Sequence, residues 1–547
     1  MRNRCRIAAT LAATLVGGLA VAAVPNANAA STEGLTAFAL TSEQRILNID
    51  VERPRPSFAT RTLRGFTLDT EILGIDVRPA TGQLIGLGDA GGVYSIDPTP
   101  GTGGDVTLIS RLNVALDGGE VAIDFNPTVD RLRVVSDLGQ NLRVNVDTGA
   151  TTVDTPLTDS GAMGAAALGV AGAAYTNNEV VGNAATATVL YDIQASTDRL
   201  LIQSPANNGT LANVGSLGVD VNGTLGFDIY THVDESGTAV SNTGIVTTSG
   251  LIDRSTIHTI DLETGAITTL GNFLPRHEVI DIAVPLDQDV PAPADDLVVA
   301  QGFALVDRGG IITFSSDNPG GGVEGPAITG VPDGGGLNRI VGIDVRPATG
   351  ELIGVDNQGA IYAIDPATGV ATFKSQISVP AGIDFSAFGM DFNPAVDRLR
   401  LVSNTGQNLR INVDTGAATV DGPVTTPNAT IEGTVGQAYT NNDAAAATGT
   451  VLRNIDSLSE SLLLQSPPNA GTVAVIGNTG LDITPLSGFD IFTERDDMGT
   501  SVMNTGFITV NDTTTARFYE INLETGATEL IGDFGTAYVL DITFPAG

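Results

Sequence analysis

The chain has 547 residues, 42% of them hydrophobic, with 66 glycines, 26 prolines, 5% aromatic residues and no tryptophan. That balance describes a turn-rich protein with small side chains and enough apolar content for sizeable cores, and it excludes a disordered one. The formal charge of −36, from 26 basic and 62 acidic side chains, argues against nucleic acid and anionic membrane as partners.

Residues 1–29 have the form of a secretory signal. Arg2, Arg4 and Arg6 precede an apolar run from Ile7 to Val24, and Ala27-Asn28-Ala29 offers a small-residue cleavage site. The run is broken by Gly17 and Gly18 and ends at Pro25, so removal is expected rather than a retained span. The mature chain is expected to be secreted, extracellular or periplasmic, with no membrane span. Cys5, the one cysteine, leaves with the leader, so no disulfide, thiolate metal site or cysteine nucleophile is expected. Cleavage also takes the formal charge from −36 to −39, with 23 basic against 62 acidic residues.

From Leu35 onward the pattern is one of short alternating or apolar runs separated by turn clusters such as Pro79-Ala80-Thr81-Gly82, Asp89-Ala90-Gly91-Gly92 and Asp147-Thr148-Gly149. This is strand and hairpin patterning with no convincing helical period. The run Asp124 to Ala150 returns at Asp391 to Ala417 with 22 identities in 27 positions, and Gly74 to Gly86 returns at Gly342 to Gly354 with 12 of 13. One unit is therefore written twice. Within each copy an inner motif recurs at Asp76, Asp124, Tyr175, Asp228 and Asp281, then at Asp344, Asp391, Tyr439, Asp490 and Asp541, at spacings of 47 to 53 residues. About fifty residues holding four short strands is the size of one propeller blade.

The expected fold is all-β: two tandem β-propellers of about five four-stranded blades each, with a single ten-bladed propeller as the alternative. The last inner motif of each half has no strands after it, so it is expected to complete the blade opened by the first strands and close the ring. The expected boundaries are a signal peptide over 1–29, a first propeller over 30–285, a Pro/Asp-rich linker over 286–296 and a second propeller over 297–547, with the halves separable at the linker.

The tandem DFNP-VDRLR-VS-GQNLR-NVDTG signature, with AYTNN and GFDI downstream, resembles a family of secreted bacterial proteins known only as a domain of unknown function. The resemblance covers both halves. It implies a propeller-like repeat domain and brings no catalytic residues with it.

Two constellations can carry chemistry. Asp76, Asp124, Asp228 and Asp281, mirrored by Asp344, Asp391, Asp490 and Asp541, lie on inner strands and can converge on a channel axis, where carboxylate oxygens suit a divalent ion with Ca2+ as the candidate. The competing reading is that each is buried and accepts hydrogen bonds from backbone amides of the next blade. In the third blade, Arg131, Arg133 and Arg143 with Gln140, Asn141 and Asn145 match Arg398, Arg400 and Arg410 with Gln407, Asn408 and Asn412. Such arginines can clamp a carboxylate or phosphate, or pair between blades with Asp130, Asp147 and their neighbours. His232, His258 and His277 occur only in the first half and are expected at the surface. Asp220-Val221-Asn222-Gly223 is a calcium-loop fragment without the remaining ligand spacing.

No nucleophile elbow, phosphate loop or paired-histidine motif is present. The sequence therefore favours an exported, non-catalytic binding or scaffold protein, with no required cofactor, presenting two propellers to a protein, a cell-wall component or a small molecule. The alternative is a divalent-metal-dependent hydrolase or lactonase with an aspartate-lined central channel.

Overall fold

The computed structural model describes residues 32–547 apart from 55–57, 160–163, 179–186, 222, 235–236, 251–253, 274–276, 287, 289, 291–298, 333–338, 380–382, 384–386, 427–429, 444–447, 497, 536 and 546. The leader lies outside the described residues. Among the described residues the only helical element is the 3-10 turn Ala206–Asn208, and no helix is long and apolar enough to cross a membrane.

The described residues form ten sheets, arranged as two rings of five blades. Each blade of the first ring starts from an inner strand: Ile72–Arg78, Val121–Asn126, Val170–Tyr175, Leu225–Val233 and Val279–Ala283. The last of these pairs antiparallel with Thr36–Thr41, joining the C-terminal strand of the half to its first strands. In the second ring Val539–Thr543 pairs with Gln301–Val306 in the same way. Both closures stay within their own half, so the chain forms two five-bladed propellers and not one ten-bladed ring. Blade four of the first ring carries two extra short strands, Thr158–Asp159 and Ala165–Ala166, on its outer edge.

Burial falls from the axis outward. Ile72–Arg78 is almost wholly buried because neighbours cover both of its faces, whereas the outer strand Val106–Arg111 of the same blade is largely exposed or half-buried after its first residue. The cores lie between blades: Ile85, Val93, Ile123, Phe125 and Leu132 join blades two and three of the first ring. A further core joins the two rings. Blades four and five of both contribute to one continuous apolar cluster that includes Val189, Val214, Val451 and Ile476. An isolated half would expose its share of this cluster, a consequence that the expectation of separable halves did not include. Within the expected spacer, Gln288 takes the amide and hydroxyl of Thr36, each at 2.8 Å, and its backbone oxygen accepts from the Tyr230 hydroxyl at 2.6 Å. The described start of the spacer is thus packed on the first ring, while 291–298 fall outside the described residues.

The repeated Asp-Thr-Gly turns are needed where blades approach closely. Gly149 and Gly416 have φ of +72° and +73°, and a Cβ on either would stand 1.9 Å from the carbonyl oxygen of Arg111 or Gln376 in the preceding blade. Gly82 has a similar φ of +66° with nothing within 4 Å. Gly149→Ala should therefore lower stability by roughly 2 to 3 kcal/mol, well beyond the ~1 kcal/mol that a left-handed backbone alone imposes on Gly82→Ala. Chemical denaturation of the two variants checks this; equal losses would mean that the close approach costs nothing.

Candidate functional site: axial carboxylates and third-blade arginines

The inner-strand acids come together, and each also serves the backbone. In the first ring Asp76, Asp124 and Asp228 each bring a carboxylate oxygen within 4.8 Å of the others, and Asp344, Asp391 and Asp490 do so in the second. Asp281 and Asp541 belong to neither triad. The strand amides are taken up in turn around the axis: Asp281 accepts from Ile75 at 2.7 Å, Asp76 from Phe125 at 2.7 Å, Asp124 from Tyr175 at 3.1 Å and Asp228 from Val284 at 2.6 Å. The second ring repeats the circuit, Asp541 taking Ile343 at 2.9 Å, Asp344 taking Phe392 at 2.7 Å, Asp391 taking Tyr439, and Asp490 taking Phe544 at 2.6 Å. Each acid thus links its blade to another, and convergence on the axis coexists with capping of the backbone.

Burial and mutual repulsion set the protonation. Asp124 and Asp391 are each 2% exposed. Burial lifts the carboxyls of all eight acids above the ordinary range, and repulsion from neighbouring acids adds to this for most of them. Asp228 rises to about 7 and Asp344 to about 6, in both cases chiefly through burial. In the second ring Asp391 and Asp344 bring carboxylate oxygens within 4.8 Å of each other, and the charge of Asp344 pushes the Asp391 carboxyl further up. Tyr175 and Tyr439, which replace the acid in blade four, use their hydroxyls to accept from arginines instead.

Those arginines are spent inside the fold. Arg133 is 2% exposed and donates to the Tyr175 hydroxyl at 3.2 Å, Asn141 at 2.7 Å, Asp154 at 2.8 Å and Asn207 at 2.8 Å. Arg143 holds the same Asp154 bidentately at 2.6 and 2.8 Å. In the second ring Arg400 reaches Tyr439 at 2.7 Å, Asp421 at 3.0 Å and Asn469 at 2.6 Å, with Arg410 on Asp421 at 2.6 and 2.8 Å. Arg131 and Arg398 stay half-buried and donate to carbonyls of their own turns. Asn145 and Asn412 are turn residues, each accepting from the second residue after it.

The carboxylate partners differ from those expected. Asp130 and Asp147 bind Arg78 of blade two, at 2.5 and 2.8 Å, whereas the third-blade arginines use Asp154 and Asp421. The histidines are also placed differently from the expectation. His232 and His258 are buried among threonines, with burial pushing His258 down to about 4, and His277 is half-buried 3.8 Å from Glu43. A polar core in a propeller accepts a neutral imidazole where hydroxyls supply its hydrogen bonds.

A family model described as a domain of unknown function, DUF4394, matches residues 45–283 and again residues 310–543, one match per ring. The chain belongs to this family. No curated protein matches it. Solved structures similar to this DUF4394 chain include the extracellular domain of a hybrid two-component system from B. thetaiotaomicron, at 11% identity over 92% of this chain and 72% of that one with a TM-score of 0.24. An auxiliary nutrient binding protein from Bacteroides ovatus is 11% identical over 63% of this chain and 94% of its own, with a TM-score of 0.24. The WD40 β-propeller domain of Doa1 is 13% identical over 62% and 91%, with a TM-score of 0.19.

Two sets of buried groups in the DUF4394 chain escaped sequence reasoning. Asp192, in blade four, is fully buried with neither oxygen hydrogen-bonded among the described residues, and burial raises it to about 8; its repeat counterpart Asn454 donates to Gln465 at 2.6 Å. Between the rings, Arg453 binds Glu263 at 2.6 Å. The signal in both cases was a position where the two copies differ, Asp against Asn and Tyr191 against Arg453.

Proposed function

We propose that this is an exported, non-catalytic binding or scaffold protein built from two homologous propellers. The observation that carries this reading is the engagement of the reactive side chains. The axial acids cap strand amides from blade to blade, and the buried arginines hold Asp154 and Asp421. Export rests on the leader at residues 1–29. The excess of acids left on the surface suits a protein, cell-wall component or small-molecule partner over a polyanion.

The convergence of three carboxylates in each ring favours a second reading, a divalent ion on the axis and with it a metal-dependent hydrolase or lactonase. A catalytic ion needs an open coordination position, and the acids here are buried, with both oxygens of Asp76, Asp228 and Asp490 already accepting backbone amides. Protons shared among the acids serve the same electrostatic need. Protein stripped with chelator is expected to melt at the same temperature with and without millimolar calcium, magnesium or zinc, and to turn over no ester or lactone in their presence. A specifically bound ion at a hundredfold excess over its Kd would add about 2.7 kcal/mol. A shift of that size, lost in Asp124→Asn, would assign the axis to a cation; metal-dependent turnover lost in the same variant would replace the binding reading by the hydrolase.

A further inference from the structure

The face joining the two rings is built from equivalent parts of each. Glu263 lies in the turn Asp261-Leu262-Glu263-Thr264-Gly265 after the third strand of blade five, and Glu524 lies in the matching turn Asn522-Leu523-Glu524-Thr525-Gly526 of the other ring. Both reach across. Glu263 takes Arg453 at 2.6 Å, and its carbonyl accepts from Asn441 at 3.3 Å. Glu524 accepts from the amide of Asn242 at 3.0 Å, while Asn522 donates to the Val240 carbonyl at 3.3 Å. The two propellers therefore face each other much as the halves of an isologous dimer do.

The correspondence breaks at one position. Arg453 follows Leu452 in the second ring, and its equivalent after Leu190 in the first is Tyr191. A fully symmetric face would hold a guanidinium for each glutamate, and among the described residues this one holds a single Arg453 beside Asp261, Glu263 and Glu524. Oε2 of Glu263 has no hydrogen-bond partner among the described residues. Tyr191, buried and held well above its ordinary range, faces the same cluster and supplies no charge at neutral pH. Asp261 accepts from the amides of Glu263 and Thr264 in its own turn at 2.9 and 2.7 Å. Glu263 and Arg453 are buried and Asp261 and Glu524 half-buried, so three carboxylates and one guanidinium would carry a net charge of minus two in a largely dry face, a cost that opening the face to solvent relieves.

We infer that this face is a proton-dependent clasp, which holds the two propellers together while the carboxylates in excess of Arg453 carry protons and loosens as they ionise. Burial keeps all three acids above the usual range, with Glu263 at about 7 and Glu524 at about 8, and like charge between Glu263 and Glu524 adds to the second. The sign follows: protons are bound more tightly by the docked state, so docking strengthens as pH falls and weakens as pH rises through these values. Each ring is closed on itself by its own strand pairing, so the rings can separate while the blades remain intact.

The test uses the mature full chain, followed by small-angle scattering and by hydrogen exchange corrected for intrinsic rates. Between about pH 6 and about pH 9 the radius of gyration should rise, and the amides of 189–194 and 261–266 should exchange about tenfold faster or more, while Gln83–Gly88, far from the face, keeps its protection. Glu524→Gln removes one ionisation without changing shape and should keep the rings docked at the higher pH. Tyr191→Arg supplies the missing guanidinium and should do the same, which keeps the test decisive if one variant fails to fold. Unchanged scattering and protection across the range in the unaltered chain would overturn the clasp, as would an opening that both folded variants show at the same pH.

Discussion

Arg400→Ala should destabilise the second propeller by about 3 to 5 kcal/mol, the range for removing one partner of a buried ion pair. Arg400 donates to Tyr439, Asn408, Asp421 and Asn469, groups drawn from blades three and four, so it crosslinks two blades from inside. Its loss strands Asp421, whose side chain is 5% exposed and would keep only Arg410. Arg400→Lys should recover little, because an ammonium cannot reproduce a planar fork aimed at so many acceptors. Arg133→Ala should act in the same way on the first ring through Asp154. Arg398→Ala is the control: among the described residues its guanidinium donates to carbonyls of its own turn, and its removal should cost below about 0.5 kcal/mol. Denaturant unfolding that ranks Arg400→Ala with Arg398→Ala would show that the buried arginine is not structural, and loss of a ligand at unchanged stability would make it a binding residue.

The arginine network shows what a sequence can and cannot display here. Blade boundaries were legible because each inner strand repeats one short motif, and a repeat is visible wherever two copies resemble each other. The ring closures followed from counting strands. The acids were legible as positions, yet their convergence depends on how tightly five inner strands gather round an axis, which no linear spacing encodes. Partner choice was misread for a related reason. Asp130 and Asp147 stand close to the third-blade arginines in sequence, but both lie in turns that meet Arg78 of the neighbouring blade, leaving Asp154 to Arg133 and Arg143. The groups at the face between the rings were hidden because their key feature is a mismatch, Tyr191 against Arg453, inside turns that look ordinary.

The same buried acids should give the protein an acidic stability optimum. An acid whose folded pKa lies above its unfolded value binds protons more tightly when folded, so stability is greatest near the unfolded pKa of about 4 and is lost as pH rises through the folded one. Asp344 at about 6, Asp228 and Glu263 at about 7, and Asp192 and Glu524 at about 8 all work in this direction, each raised mainly by burial. A protonated Asp192 also becomes a donor, and Oε1 of Gln203, without a partner among the described residues, is the acceptor equivalent to the one Asn454 uses in the other ring. Acids held low by cations or hydrogen bonds, such as Asp147 and Asp414 beside Arg78 and Arg346, oppose the trend only once pH falls toward their own lowered values. One buried acid that titrates two pH units higher in the folded than in the unfolded chain contributes about 3 kcal/mol. Even with coupling among neighbours, Tm should rise by roughly 10 °C on going from about pH 8 to about pH 5. Asp192→Asn should raise Tm at the higher pH and leave it nearly unchanged at the lower, because the amide donates at any pH. A bound axial cation would need ionised carboxylates and would reverse the slope in its presence, so the melting profile with chelator and with calcium separates protons from metal as the neutralising charge. A Tm that rises from acid to neutral pH in chelator would show that the axial and interface acids are ionised in the native protein.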